Sequence, residues 1–338
     1  MDHLIAVNQS PDAAAGQLDR RTFLQGGAML MAGIATRDAH AASTVSARSA
    51  ETQPADRQPI VRIGLIADAH YADKPPHGDR HYRASIPKMH QAVDAFNQAD
   101  VDFTVELGDF IDAGDSVWKE LDFLKRIEAE YARLKAPRHY VLGNHCVGTL
   151  TKKEFLEHTN AFASRPDVVS PVVGQRVSSS PENAPYAGPS QTPLAYYAFD
   201  VKGFRFLVLD ACYRPDGTPY CRGNYDWTCS YVPPAQQQWL QEQLRQTNRP
   251  VIVFIHQRLD TDGSHGVVNA ADVRRLLEAS GRVRVVFQGH DHRGADERIN
   301  DIRYYTLSAM VTGPAPATGG CGVAECFADG TFHFVPVS

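Results

Sequence analysis

Nine residues able to hold a metal ion or move a proton fall in five short stretches. They are Asp68-Ala-His70, Gly108-Asp109-Phe-Ile-Asp112, Gly143-Asn144-His145, a lone His256, and Gly289-His290-Asp-His292. Each stretch closes a short apolar run: 60–67, 101–107, 138–142, 251–255 and 283–288. In extended backbone, residues i and i+2 point the same way, so His290 and His292 can face one pocket. Hydrolysis of a phosphate ester needs a strong nucleophile at neutral pH and neutralisation of the charge on the phosphoryl oxygens. Two cations about 3.5–4 Å apart meet both needs by acidifying a bridging water and clamping substrate oxygens. Imidazole, carboxylate and amide carbonyl together suit Mn, Fe or Zn better than Ca or Mg. One Gly-Asp or one strand-end histidine is commonplace; five such fragments in order, each at a strand end, point to a two-metal hydrolase.

The elements that must position these residues follow from periodicity. Segments 85–99 and 117–134 carry apolar residues at three- and four-residue spacing, as amphipathic helices do. The strands between them are short and too apolar for exposed ribbons. Segments 196–201 and 204–210 flank Lys202-Gly203 and predict a hairpin. Helices near 235–246 and 269–279 alternate with strands at 251–255 and 283–288, and late strands follow at 303–307, 322–327 and 331–335. This order predicts an α/β (α+β) domain built as a four-layer αββα sandwich, two mixed sheets flanked by helices. Two long loops interrupt it. Segment 164–193, rich in Pro, Ser and Gly, reads as a surface excursion, and 213–234 reads as a wall of the substrate pocket.

Composition narrows the partners. A formal charge of −5 over 338 residues gives no basic footprint, which argues against duplex nucleic acid. The six cysteines form no Cys-x-x-Cys pair, so a thiolate zinc site is not indicated. Near the N-terminus, Asp19-Arg20-Arg21-Thr22-Phe23-Leu24-Gln25 resembles a twin-arginine export signal. A short apolar run and Ala39-His40-Ala41 follow in the order a signal peptidase reads. Residues 1–41 are therefore expected to be a signal peptide addressed to the twin-arginine machinery, and 42–58 a disordered linker. Residues 59–338 would form the catalytic domain, periplasmic or secreted, with no membrane span in the mature chain. In that oxidising compartment Cys221 with Cys229, or Cys321 with Cys326, are near enough in sequence to suggest disulfides.

The five metal-type stretches resemble the signature of the calcineurin-like metallophosphoesterases, over nearly all of the chain from Pro59 onward. The resemblance implies that Asp68, His70 and His292 hold one metal and that Asn144, His256 and His290 hold the other, with Asp109 bridging. It implies a bridging hydroxide as nucleophile. His145 would act on the leaving oxygen or the transition state, and Asp112 would orient a loop or a ligand. Where the family has Asp or Glu after Gly-Asn-His, this chain has Cys146. A narrower resemblance, carried by 66–73, by Arg80-His-Tyr-Arg83-Ala-Ser85 and by 204–211, is to the manganese-dependent ADP-ribose/CDP-alcohol diphosphatases. That subgroup tends to have Gln where this chain has His70. The narrower resemblance implies a small phosphorylated substrate split at a pyrophosphate; the residues themselves offer Arg80 and Arg83, close behind the first metal loop, as phosphate grips and Tyr71, Tyr213 or Trp227 as stacking rings. The alternatives are a phosphomonoesterase, a phosphodiesterase acting on cyclic nucleotides or other diesters, and a non-catalytic metal-binding scaffold.

Overall fold

A computed structural model of the chain describes residues 57–159, 195–316 and 319–337. The expected signal, most of the linker and the 164–193 excursion lie outside the described residues. The first sheet holds β1 (Val61–Ile66), β2 (Phe103–Glu106), β3 (Arg138–Tyr140), β10 (Cys321–Cys326) and β11 (Phe332–Pro336), in the order β11-β10-β1-β2-β3. Strands β1, β2 and β3 run parallel, and β10 and β11 add an antiparallel edge. The second sheet holds β4 (Tyr197–Val201), β5 (Phe204–Val208), β6 (Val251–Phe254), β7 (Val283–Gln288), β8 (Ala295–Ile299) and β9 (Ile302–Thr306), in the order β4-β5-β6-β7-β9-β8. Its middle strands are parallel and its two edges antiparallel.

The two sheets stack because alternate residues of both point into one shared core. Ile63, Leu65, Phe103 and Val105 from the first meet Phe206, Phe254, Val285 and Phe287 from the second. The outer face of the first sheet is covered by α1 (Ser85–Ala99) and α2 (Val117–Tyr131), through Met89, Val93, Phe96, Leu124 and Ile127. The outer face of the second is covered by α4 (Pro234–Gln246) and α5 (Ala270–Ser280), through Leu240, Leu244, Val273 and Leu277. Strands covered on both faces explain the near-continuous apolar runs. The expected four-layer sandwich is the observed one.

Two elements escape the sequence pattern. Helix α3 (Lys152–His158) is a short helix held by a capping box between Thr151 and Glu154. Strand β8 reads Ala-Asp-Glu-Arg-Ile and is largely exposed, pairing only with β9. Its charges hide it from a hydrophobic scan and also discourage edge-to-edge association. None of the six cysteines is joined in a disulfide. Cys321 and Cys326 end opposite ends of β10, about 17 Å apart at strand rise, so that suggested disulfide is corrected. Among the described residues, no helix is long and apolar enough to cross a membrane.

Candidate metal centre

The strands β1, β2, β3, β6 and β7 all end on one side of the sandwich, and the loops that leave them carry the nine residues. Four of those residues sit in the left-handed backbone region: Asp68 at φ 53°, His70 at 43°, Asp109 at 55° and His290 at 69°. L-residues avoid this region, and such strain collects where function fixes a side chain. Backbone bonds hold the loops in register. Asp68 N donates to Gly108 O and His70 N to Asp109 O at 2.7 Å, while Gly289 N donates to His256 O. Two glycines are needed for space. A Cβ on Gly143 would lie 2.2 Å from Asp109 Oδ1, and one on Gly108, at φ 103°, would lie 2.5 Å from His256 Nδ1.

The ligand-type atoms converge. His70 Nε2 lies 3.7 Å from Asp68 Oδ1, 3.5 Å from Asp109 Oδ2 and 3.1 Å from His292 Nε2. His256 Nε2 lies 3.2 Å from Asp109 Oδ2, and His292 Nε2 lies 3.6 Å from Asp68 Oδ1. Atoms about 2.0–2.2 Å from one cation stand about 3–3.6 Å from each other, so these spacings fit a metal. The ligand atoms of Asp68–His70–His292, of His70–Asp109–His145 and of Asp109–His256–His290 lie within 4.8 Å of one another in each group, close enough to hold an ion. Asp109 belongs to the last two. Several buried polar atoms here have no protein partner: both amide atoms of Asn144, His256 Nε2 and His290 Nε2. Buried polar atoms are almost always paired, so the free lone pairs of Asn144 Oδ1, His256 Nε2 and His290 Nε2 suit a cation.

The outer contacts fix the tautomers. His256 Nδ1 faces Leu107 O at 2.8 Å and His70 Nδ1 faces Asp112 Oδ2 at 2.9 Å, which turns each Nε2 lone pair toward the centre. Asp112 is not itself in the cage. Its other oxygen accepts from Lys74 at 2.6 Å and Ala113 N at 2.8 Å. Burial opposes ionisation of Asp109, but His256, His145 and His70 outweigh it and hold the carboxyl well below its usual range. Burial likewise lowers His70, yet Asp112 and Asp68 raise it to about 9, so a bound cation must displace a proton there. Burial lowers His145 to about 4, leaving a neutral imidazole at neutral pH. Its Nδ1 is 3.7 Å from Asp112 Oδ2, beyond hydrogen-bond range. Cys146, in place of a family acid, is a buried thiol accepting from Phe110 N, and burial pushes its pKa far up.

A pocket of about 160 Å³ opens over the cage, lined by Asp109, Asn144, His145, His290 and His292 together with Arg80, Trp227 and His265. Arg80 contacts Asp112 at 3.3 Å from the cage side. Two expected substrate contacts are corrected. Tyr71 is buried at 2% exposure and packs edge-on against Phe123, and Arg83 points outward to Asp73 at 2.6 Å. Neither lines the pocket. Tyr213 is also spent, its ring carrying Lys152 at 3.3 Å. His265, whose ring lies 5.4 Å from Trp227 and 5.3 Å from His290, was not foreseen. Its Gly-Ser-His-Gly loop has no strand before it and so gives no signal. Glu106 was also missed: it sits behind the Gly108 turn, and burial, then the charges of Asp68 and Asp109, raise it well above the usual carboxyl range.

Two stacked mixed sheets with a cage for cations at their strand ends define a metal-dependent phosphoester hydrolase. Residues 61–294 match the calcineurin-like phosphoesterase family, and the chain belongs to it. It is similar to the manganese-dependent ADP-ribose/CDP-alcohol diphosphatase of Oryza sativa subsp. japonica, 24% identical over 317 residues that cover 81% of this chain and 90% of that protein. The Arabidopsis thaliana protein of the same name is 26% identical over 265 residues, covering 71% and 82%. A dimetal phosphatase from Danio rerio shares the fold with a TM-score of 0.66 at 20% identity, covering 83% of this chain and all of that one.

Proposed function

We propose that this chain hydrolyses the pyrophosphate bond of nucleoside diphosphate-X compounds such as ADP-ribose or CDP-alcohols. In this reading Asp68, His70 and His292 hold one Mn-type cation, Asn144, His256 and His290 hold a second, and Asp109 is shared. When bound, the cations acidify water and neutralise phosphoryl oxygens. The chain's own residues do the rest. Arg80 grips the phosphate that is not attacked, its planar fork suited to two oxygens at once. His145 offers a ring N–H to the leaving oxygen, and an approaching dianion raises its pKa toward the working range. Asp112 keeps the His70 ring turned and stays outside the cage.

The observation that carries the substrate is the make-up of the pocket walls. A cationic grip, Arg80, and an aromatic pair, Trp227 with His265, share one cleft with the candidate ligands. A phosphomonoester has no second phosphate for Arg80, whereas a nucleoside diphosphate-X compound offers both a second phosphate and a base. The relatives named for that activity support the same reading. The test is turnover of ADP-ribose, a CDP-alcohol, nitrophenyl phosphate and bis-nitrophenyl phosphate with added Mn²⁺. The two pyrophosphates are expected to give the higher kcat/KM. A preference for the monoester or the diester would reject them as substrates and favour the corresponding esterase.

Export belongs to the same proposal. Arg20 and Arg21 before a short apolar run support delivery through the twin-arginine route to the periplasm or outside. Replacing both with Lys is expected to leave an uncleaved, unexported chain. Unchanged processing would reject that route.

A further inference from the structure

Lysine in the first turn of a helix opposes the helix dipole, and a buried lysine pays heavily for desolvation. Lys88, the fourth residue of α1, does both: its exposure is 0%. Among the described residues no carboxylate pairs with it. Its Nζ instead donates to three carbonyls of one loop, Met310 O and Thr312 O at 2.8 Å and Gly313 O at 2.7 Å. All three ammonium protons are thereby used.

That loop is a junction. Met310 N donates to Ala67 O and Val311 N to Asp68 O, both at 3.0 Å, while Ala309 N donates to His292 O at 3.0 Å. On its other side Val311 O accepts from His81 N and Gly313 N donates to Asp79 O, with Thr312 bridged to Arg80. Residues 309–313 therefore tie together the backbone of Asp68, of His292 and of the turn that carries Arg80. One helical turn away, on the same face of α1, the Ser85 hydroxyl donates to Ala69 O, between Asp68 and His70. The first turn of α1 thus fastens both loops of one half-cage.

We infer that Lys88 is a positioning residue for the metal centre and for Arg80, acting through the 309–313 loop. This rests on the ligand assignment proposed above, and goes beyond it by placing control of the cage in a residue that touches neither metal nor substrate. With Lys88 removed, three carbonyls lose their common donor, and the loop is free to shift Asp68, His292 and Arg80 together.

The test is Lys88→Met in the mature chain, read by Mn²⁺ titration of metal-stripped protein and by KM for ADP-ribose and for nitrophenyl phosphate. Outer supports of metal ligands commonly matter by about 10–100-fold, so Mn²⁺ affinity is expected to fall by at least about tenfold. KM for ADP-ribose is expected to rise more than KM for nitrophenyl phosphate, which lacks the second phosphate that Arg80 would hold. Leu244→Ala, in the core under α4, serves as a control that lowers the melting temperature without moving Mn²⁺ affinity. Mn²⁺ affinity in Lys88→Met unchanged from the parent would overturn the inference, whatever its melting temperature. Should Lys88→Met not fold, Lys88→Gln keeps a polar group there but not a donor for all three carbonyls, and unchanged Mn²⁺ affinity in it would overturn the inference. The titration needs no substrate. If it moves as expected while the parent fails to split ADP-ribose, the positioning role stands and the diphosphatase reading falls.

Discussion

His145 and His256 are both imidazoles beside Asp109, the first 19% exposed and the second fully buried, and their surroundings assign them different work. His256 has its Nδ1 fixed on Leu107 O and its Nε2 aimed 3.2 Å from Asp109, the posture of a ligand. His145 lines the pocket and is partly exposed, with its Nδ1 turned inward 3.7 Å from Asp112, the posture of a group open to substrate. His256→Ala is therefore expected to lose metal and fall to the activity of stripped protein. His145→Ala should keep its metal and lose about 10²–10⁴-fold in kcat. Metal analysis beside steady-state kinetics checks the contrast, and loss of metal from His145→Ala would contradict the assignment. The same scale explains the failures among the substrate contacts. Arg83 and Tyr71 flank the first metal loop in sequence, but their side chains leave it, one to Asp73 and the other into the core.

At the scale of elements, strand ends place the ligands and small turns let them close up. Gly143→Ala would drive a methyl group into Asp109. It is expected to cost about 1–3 kcal/mol of stability and to weaken Mn²⁺ binding as well, checked by urea melts and metal titration. Helix α3 offers a pH-dependent element. Arg222 at 2.6 Å, then the capping bonds with Thr151, bring Glu154 down to about 2 from an ordinary 4.5. A carboxyl lowered by folding adds stability that is present above the unfolded value and lost as pH falls through the folded one. Glu154→Gln is accordingly expected to cost about 1 kcal/mol at pH 7. The difference from the parent should shrink as pH falls from 4.5 toward 2. Melts at pH 7 and pH 3 measure it, and an equal cost at both would refute the linkage.

At the scale of the whole molecule, the cage joins loops from both sheets, with Asp68, Asp109 and Asn144 from one and His256, His290 and His292 from the other. Cations held there should bind the folded state alone and brace one sheet against the other. Chelation is expected to destabilise the protein by about 2.7 kcal/mol relative to Mn²⁺ at 100 times its Kd. That is a drop of about 4–5 °C in Tm for a domain of this size, read by calorimetry. A Tm indifferent to chelator would mean that the cage does not hold metal in the folded protein.

Much of this was readable along the chain. Helix α1 and strand β7 fall where periodicity puts them, and the nine candidate site residues announce themselves because each follows a buried strand. Strand β8 and helix α3 did not announce themselves, since an exposed charged edge and a seven-residue capped helix leave no hydrophobic rhythm. By itself the sequence determined the sandwich and the ligand types, because burial and strand-end position impose local patterns. Only the tertiary structure decided that His265 joins Trp227, that Arg80 rather than Arg83 enters the pocket, and that Lys88 grips the 309–313 loop. Those contacts span up to 225 positions, as between Lys88 and Gly313. No local pattern encodes which surfaces packing will bring face to face.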